Sequence, residues 1–471
     1  MKVRLTLASL SLVLLSGSAL ANGRYPIANQ LVVSPADPTH LTLRTTFGLV
    51  LSEDAGKDFG WVCEKAAGFV NNEDPPVEVT GDGSILVASS QALNISHDGG
   101  CVWDQAVPDL TLVDADVDPS NTSRALAIAS LYTDGKTNSG LEETLDNGRT
   151  WHPLGMSFDG LPATVAIAPS APNTIYASGT SITDLTPTIS VSVDDGAHWN
   201  SYPVSVANIT VPFIAAIDPK DPDIVYVRAP TNGGTDVLVV STDAGAHFKS
   251  IFEAKGGLYG FALSPDGKRV AVGGPNDDLS VASAPDYAFK PAGDLRPLCL
   301  KWATAGLYAC ADEANFGFSL GLSSDDGAHF EALFHKPDLK LKSCPLSTPT
   351  GLYCPQAWVG EQVILGVDAG APTMPDGGNA GTSTSSGGDS GTGASTDAGT
   401  SDASAGASAA PTQNQAGASV VAVSSGNAKG SRGCTIDASS RQSSRPWALL
   451  ALGAVAFAWT RRRQARAFAA L

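Results

Sequence analysis

Apolar residues along most of this chain come in short unbroken runs of four or five, each closed by Gly, Pro, Asp or Asn. Residues 164–168, 174–178 and 188–191 form three such runs, with the turn 169–173 between the first two. Residues 214–217, 224–227 and 237–240 repeat the arrangement around the turn 218–223. Runs of this length bounded by turn formers predict short strands buried on both faces. Eight such three-strand sets can be counted, the last at 341–344, 351–353 and 362–365. That eighth set lacks an outer strand, and residues 23–28 are placed to supply it by pairing the two ends of the domain. Eight blades of a closed all-β repeat are therefore expected, with seven plus a capping extension as the alternative.

Each set ends in one eight-residue phrase, Ser/Thr-x-Asp-x-Gly-x-x-Trp/Phe. It begins with Ser52, Asp54, Gly56 and Phe59, then Ser96, Asp98, Gly100 and Trp103, then Thr144, Asp146, Gly148 and Trp151. Three further copies are Ser192, Asp194, Gly196 and Trp199; Ser241, Asp243, Gly245 and Phe248; and Ser323, Asp325, Gly327 and Phe330. A decayed copy keeps the aromatic at Phe289, and a trace follows at 366–370. The side chains of Ser and Asp accept from turn N–H groups, Gly takes a positive φ, and the aromatic folds back to cover the hairpin. The phrase resembles the Asp-box, and its regular spacing makes residues 22–370 similar to the Asp-box (BNR-type) family of β-propellers, which includes sialidases, sortilin-type receptors, xyloglucanases and the photosystem II assembly factor. That resemblance implies a propeller of four-stranded blades. The box itself is structural and implies no activity.

The two ends carry different signals. Lys2 and Arg4 precede an apolar run at 5–15 and the small residues ending at Ala21, so residues 1–21 read as a signal peptide. Residues 371–432 are almost entirely Gly, Ser, Ala, Thr and Asp and predict a disordered tether. Residues 447–460 are an apolar helical stretch followed by Arg461, Arg462 and Arg463, which places the preceding chain outside the cytoplasmic membrane. At 13 apolar residues, about 20 Å, the stretch is short for a membrane span of ~30 Å. Together with Cys434, residues 433–471 resemble the tripartite sorting signals of myxobacterial surface proteins (MYXO-CTERM). This implies that Cys434 is the processed and anchoring residue; a simple membrane tail anchor is the alternative.

Six of the 7 cysteines fall into local pairs: Cys63 with Cys101, Cys299 with Cys310, and Cys344 with Cys354. Disulfides at these positions fit an oxidising, exported setting. Residues 22–370 hold 42 acidic against 19 basic side chains, which argues against a nucleic-acid partner. Much of this acidity is turn chemistry, since Asp recurs in every phrase. The acidic runs 114–118 and 218–223 admit structural Ca²⁺ as a second reading beside turn formation. His198, His247 and His329 occupy one phrase position on separate blades and read as surface hairpin residues, and no catalytic or cofactor motif emerges. Arg24-Tyr25-Pro26-Ile27 has the wrong order for a sialidase start, and Arg44, Arg228 and Arg296 lack an accompanying motif. The expected function is a non-enzymatic, surface-tethered module for a protein, peptide or glycan, using the axial face or central channel. An exported glycoside hydrolase is the rival.

Overall fold

The computed structural model describes residues 24–367 apart from 71, 109, 134–135, 156–159 and 207. The expected signal peptide with Ala21, the linker, Cys434 and the apolar stretch 447–460 all lie outside the described residues. The predicted strands assemble into seven sheets, antiparallel throughout their first four strands. Six have four strands taken in chain order, and the first gains a fifth. Their innermost strands are Ala28–Val33, Val77–Val79, Thr111–Val117, Gly160–Ile167, Phe213–Ile217, Gly260–Leu263 and Cys299–Ala303. Each packs on the next and the seventh packs on the first, which closes a ring. The protein is a seven-bladed β-propeller.

The eight-blade expectation is corrected here. Residues 341–344, 351–353 and 362–365 do not form a blade. Most of them lie before or within a helix, α3 (Pro349–Leu365), which follows two short four-residue helices, α1 (Glu64–Ala67) and α2 (Glu313–Phe316). Thr348 caps α3 by accepting from Gly351 N, Pro349 sits in the first turn, and Gly366 ends it in the left-handed conformation. The segment 23–28 likewise gives no outer strand to a last blade: its described residues 24–27 form no strand, and Ala28 begins Ala28–Val33, the inner strand of the first blade.

Blade 1 takes four strands in chain order from the start of the domain and a fifth, outermost one from its end, so the two ends meet in one sheet. Closure is achieved on the outside. Lys340–Leu341 runs parallel to Gly60–Val62 as the fifth strand of blade 1. Phe59 packs on Phe334 of blade 7 at 4.7 Å between ring centroids. Lys342 donates to Glu53 at 2.6 Å, and Tyr25 Oη donates to Asp312 at 2.8 Å.

The recurring phrase explains how neighbouring blades join. In blade 4, Ser192 Oγ donates to Asp194 Oδ1 at 2.9 Å and accepts from Gly196 N at 2.8 Å, while His198 N donates to Asp194 Oδ1 at 2.9 Å. The same bonds recur from Ser52, Thr144, Ser241 and Ser323. In blade 2 Ser96 makes the matching pair with Asp98 and Gly100. Trp103, Trp151 and Trp199 each donate their indole N–H to the carbonyl of the phrase glycine at 3.0 Å. Their rings do more than cover the hairpin. Trp151 packs against the apolar cluster of blades 2 and 3, Trp199 against that of blades 3 and 4, and Phe248 against that of blades 4 and 5. The phrase therefore fills the seam between its own blade and the preceding one.

Candidate functional site

The first strand of each blade faces the propeller axis, so its side chains meet those of other blades across a channel. On one side of the ring these side chains are spent on joining strands. Gln30 accepts from Val77 N at 3.1 Å and donates to Val77 O at 2.9 Å, linking blades 1 and 2. Asp114 Oδ2 accepts from Val165 N at 3.0 Å and Asp116 Oδ2 from Ile167 N at 2.7 Å, linking blades 3 and 4. Thr164 Oγ1 accepts from Ile214 N at 2.9 Å, linking blades 4 and 5. Adjacent inner strands are thus stitched by side-chain groups, because they are not paired into one ladder.

The carboxylates of this ring retain some access to water along the channel, yet protein surrounds them. Burial pushes Asp114 up to about 8, despite the Val165 N–H that favours its charged form. Glu78 is likewise raised to about 8, first by burial and then by the negative charge of Asp116. Asp116 rises only to about 6, since the Ile167 N–H and Lys301 offset part of the burial. Arg44 is lowered to about 10 by burial, and is held by Asn29 at 2.9 Å and by the carbonyls of Asp74 and Pro75.

Blades 5, 6 and 7 differ. Their inner strands present small or flat side chains, Ala215, Ala216 and Ala262 beside Phe261 and Trp302, and leave a cavity of about 250 Å³. Pro169, Pro219 and Pro265 rim it. These prolines belong to the turns between first and second strands. Those turns bond to the phrase of the same blade, as Asp195 N to Asn173 O at 2.9 Å and Ala244 N to Asp223 O at 3.0 Å show. The cavity therefore opens on the face that carries the phrases. Lys301 lines it and is exposed, and its positive charge favours the ionised forms of Glu78 and Asp116. An apolar, aromatic-walled recess with a single ammonium suits binding of a mixed polar and apolar group.

Of the arginines considered from sequence, Arg24 and Arg44 meet at Asp74, while Arg228 and Arg296 lie in other blades, so no triad forms. Arg24 pairs with Glu64 and Asp74 beside blade 1, Arg228 with Asp236 in blade 5, and Arg296 with Asp278 between blades 6 and 7. The acidic runs fold as turn and strand. Asp118 accepts from Ser120 N and Asn121 N, and Asp218 accepts from Lys220 N and Asp221 N. Among the described residues no three His, Cys, Asp or Glu side chains are grouped to hold a metal ion. His198, His247 and His329 each contact their own phrase Asp at 2.6 to 2.7 Å and are otherwise exposed.

All six paired cysteines form disulfides, but two of the three expected pairs, Cys63 with Cys101 and Cys344 with Cys354, are corrected. Cys299 joins Cys310 across two strands of blade 7 as expected. Cys63 joins Cys354, however, and Cys101 joins Cys344. Spacing along the chain favoured the local partners; placing the segment before α3 and the helix itself against blades 1 and 2 brings the distant ones together.

No family model and no curated protein matches the chain. Among solved structures it is similar to an ancestral GH74 enzyme, at 14% identity and a TM-score of 0.46 over 59% of this chain; it spans 40% of that longer one. It is also similar to the hydrazine synthase of Kuenenia stuttgartiensis, at 15% identity and TM-score 0.45, over 64% and 97% of the two chains. The Cps50 (Swd1) β-propeller domain of Myceliophteria thermophila is similar at 12% and 0.42, over 61% and 94%.

Proposed function

We propose that this chain is an exported, surface-tethered propeller of the Asp-box type that binds a peptide or glycan without chemical turnover. The ligand enters at the phrase-bearing face and occupies the recess beside Phe261, Lys301 and Trp302. The observation that carries this reading is that recess, an aromatic-walled cavity of about 250 Å³ where the opposite arc of the ring is filled by strand-joining side chains. The channel carboxylates argue for binding over hydrolysis. Asp114 and Asp116 each commit an oxygen to a backbone N–H of blade 4, which is a structural task. Export is supported by the three disulfides and by the signal-like first 21 residues. Tethering rests on the linker composition of residues 371–432 and on the resemblance of residues 433–471 to a sorting signal.

The test is titration of the purified protein against glycan and peptide arrays, followed by calorimetry on the hits. Binding that falls at least tenfold in Trp302→Ala, with the fold retained, supports the assignment. Release of sugar from glucan or sialyl substrates by the wild-type protein would replace it with the hydrolase reading.

A further inference from the structure

Helix α3 turns its charge inward and its apolar side chains outward. Cys354 and Leu365 are buried, Trp358 packs on Trp61 at 5.3 Å, and Lys65 lies 4.0 Å over the Tyr353 ring. Glu361, the only charged residue of the helix, is on the half-buried side near Glu64 and is pushed up to about 7 by burial. The outer face carries Leu352, Gln356, Ala357, Val359, Gly360, Val363 and Ile364, with Val359 68% and Val363 74% exposed. Leu346, just before the helix, adds to it at 78%. A surface helix in water normally shows the reverse pattern, so this face is built to be covered.

We propose that the occupant is α3 of a second copy of this chain, packed antiparallel about a twofold axis. The stripe is symmetric along its own length. Leu352 and Val363 are equally distant from the point between Ala357 and Trp358, and so are Gln356 and Val359. An antiparallel pair centred there sets Leu352 against Val363 of the second copy and Gln356 against Val359, which is the self-complementarity a twofold interface requires. Ala357 and Gly360 near the centre keep the approach close, and a Cβ at Gly360 would meet open space.

Charge selects the same occupant. With 42 acidic against 19 basic side chains over residues 22–370, most of the surface repels both another copy and an anionic bilayer. The α3 stripe is uncharged, so copies can meet there. A 17-residue helix offers a strip of roughly 25 by 10 Å. Against ~800 Å² per partner in a standard interface, this makes the dimer weak and dependent on concentration.

Sedimentation velocity of the full chain over a wide concentration range tests the proposal. Wild type is expected to show a reversible monomer–dimer equilibrium that Val359→Glu weakens at least tenfold. In Gln356→Lys/Val359→Glu the facing pairs become Lys and Glu, and dimerisation is restored; Gln356→Glu/Val359→Glu stays monomeric. These sites are exposed, and an unchanged melting temperature confirms folding of each variant. Wild type that remains monomeric throughout, or a dimer indifferent to Val359→Glu, overturns the proposal. So does Val359-dependent binding to phosphatidylglycerol vesicles without dimerisation, which would make a bilayer the occupant.

Discussion

Cys63, at the end of the outer strand of blade 1, is bonded to Cys354 in the middle of α3, 291 residues later, with 5.2 Å between their Cα atoms. Cys101 inside the blade 2 phrase is bonded to Cys344 across 243 residues. The two bonds fasten the segment carrying α3 onto the blades that open the ring, beside the two-residue strand Lys340–Leu341 that joins the ends of the domain. Cys354→Ser combined with Cys63→Ser should lower stability by about 2–4 kcal/mol. Calorimetric melting in the absence of reductant measures this. The equivalent change at Cys299 and Cys310, which joins strands only 11 residues apart already paired in one sheet, should cost less. Peptide mapping without reduction should recover Cys63 with Cys354 and Cys101 with Cys344.

The phrase at blade 3 tests the seam. Gly148 has φ of +85°, and a Cβ there would stand 2.8 Å from Ile95 Cδ1 and 3.2 Å from Leu86 Cδ2 in blade 2. Gly148→Ala should therefore cost about 2 kcal/mol or more, from the left-handed backbone and the crowded seam together. Ser192→Ala in the next phrase leaves the Gly196 N–H without its acceptor, at about 1–3 kcal/mol. Equilibrium unfolding in guanidinium separates the two, because only the first also pushes blades 2 and 3 apart.

The repeat made the blade count nearly legible. Full phrases, five of them 44 to 49 residues apart and the sixth 82 residues further on, located six blades, and the decayed copy within that longer gap, ending at Phe289, located the other. Its ring packs into the seam between blades 5 and 6 even though the Asp and Gly are lost. The eighth set misled because a run such as 362–365 is apolar in a strand and in a helix alike. Thr348 and Pro349 followed by Gly366 were the start and stop signals of α3, present in the sequence and outweighed by the periodicity. Channel residues left no such mark. Asp114 and Ala215 both sit on inner strands, and only ring closure decides that one joins a neighbouring blade while the other borders a cavity.

Asp114 offers a test whose sign depends on pH. Its carboxyl is raised to about 8 in the folded protein from an ordinary value of 3.8. A raised acid favours the folded state below the unfolded value and loses that advantage as pH rises from about 4 to about 8. Asp114→Asn removes the titration and keeps an oxygen to accept from Val165 N. Its melting temperature relative to wild type should climb steadily from pH 4 to pH 8. Asp114→Ala strands the Val165 N–H and should be destabilising at every pH, by about 1–3 kcal/mol. An Asn variant that lost ground with rising pH would show that Asp114 is charged in the native ring.

The whole domain should be most stable near pH 4 to 5, more acidic than is usual for proteins. Two groups of carboxylates set the limits. Asp194 is lowered to about 2 by its bonds to the His198 side chain and N–H, and Asp146 to about 2 by the Thr150 N–H and hydroxyl. Lowered acids stabilise the fold above the unfolded value near 3.8, and that contribution disappears as pH falls toward 2. Raised acids act on the other side. Glu78 at about 8, Glu361 at about 7 and Asp116 at about 6, all lifted chiefly by burial, destabilise the fold progressively as pH climbs from about 4 through those values. The excess of 42 acidic over 19 basic groups adds repulsion in the same direction. Differential scanning calorimetry from pH 2 to pH 9 should trace an asymmetric dome. Glu78→Gln should flatten its alkaline limb and leave the acid limb in place, while Asp194→Asn should do the opposite; a maximum at pH 7 to 8 would refute the assignment of raised carboxyls to the channel.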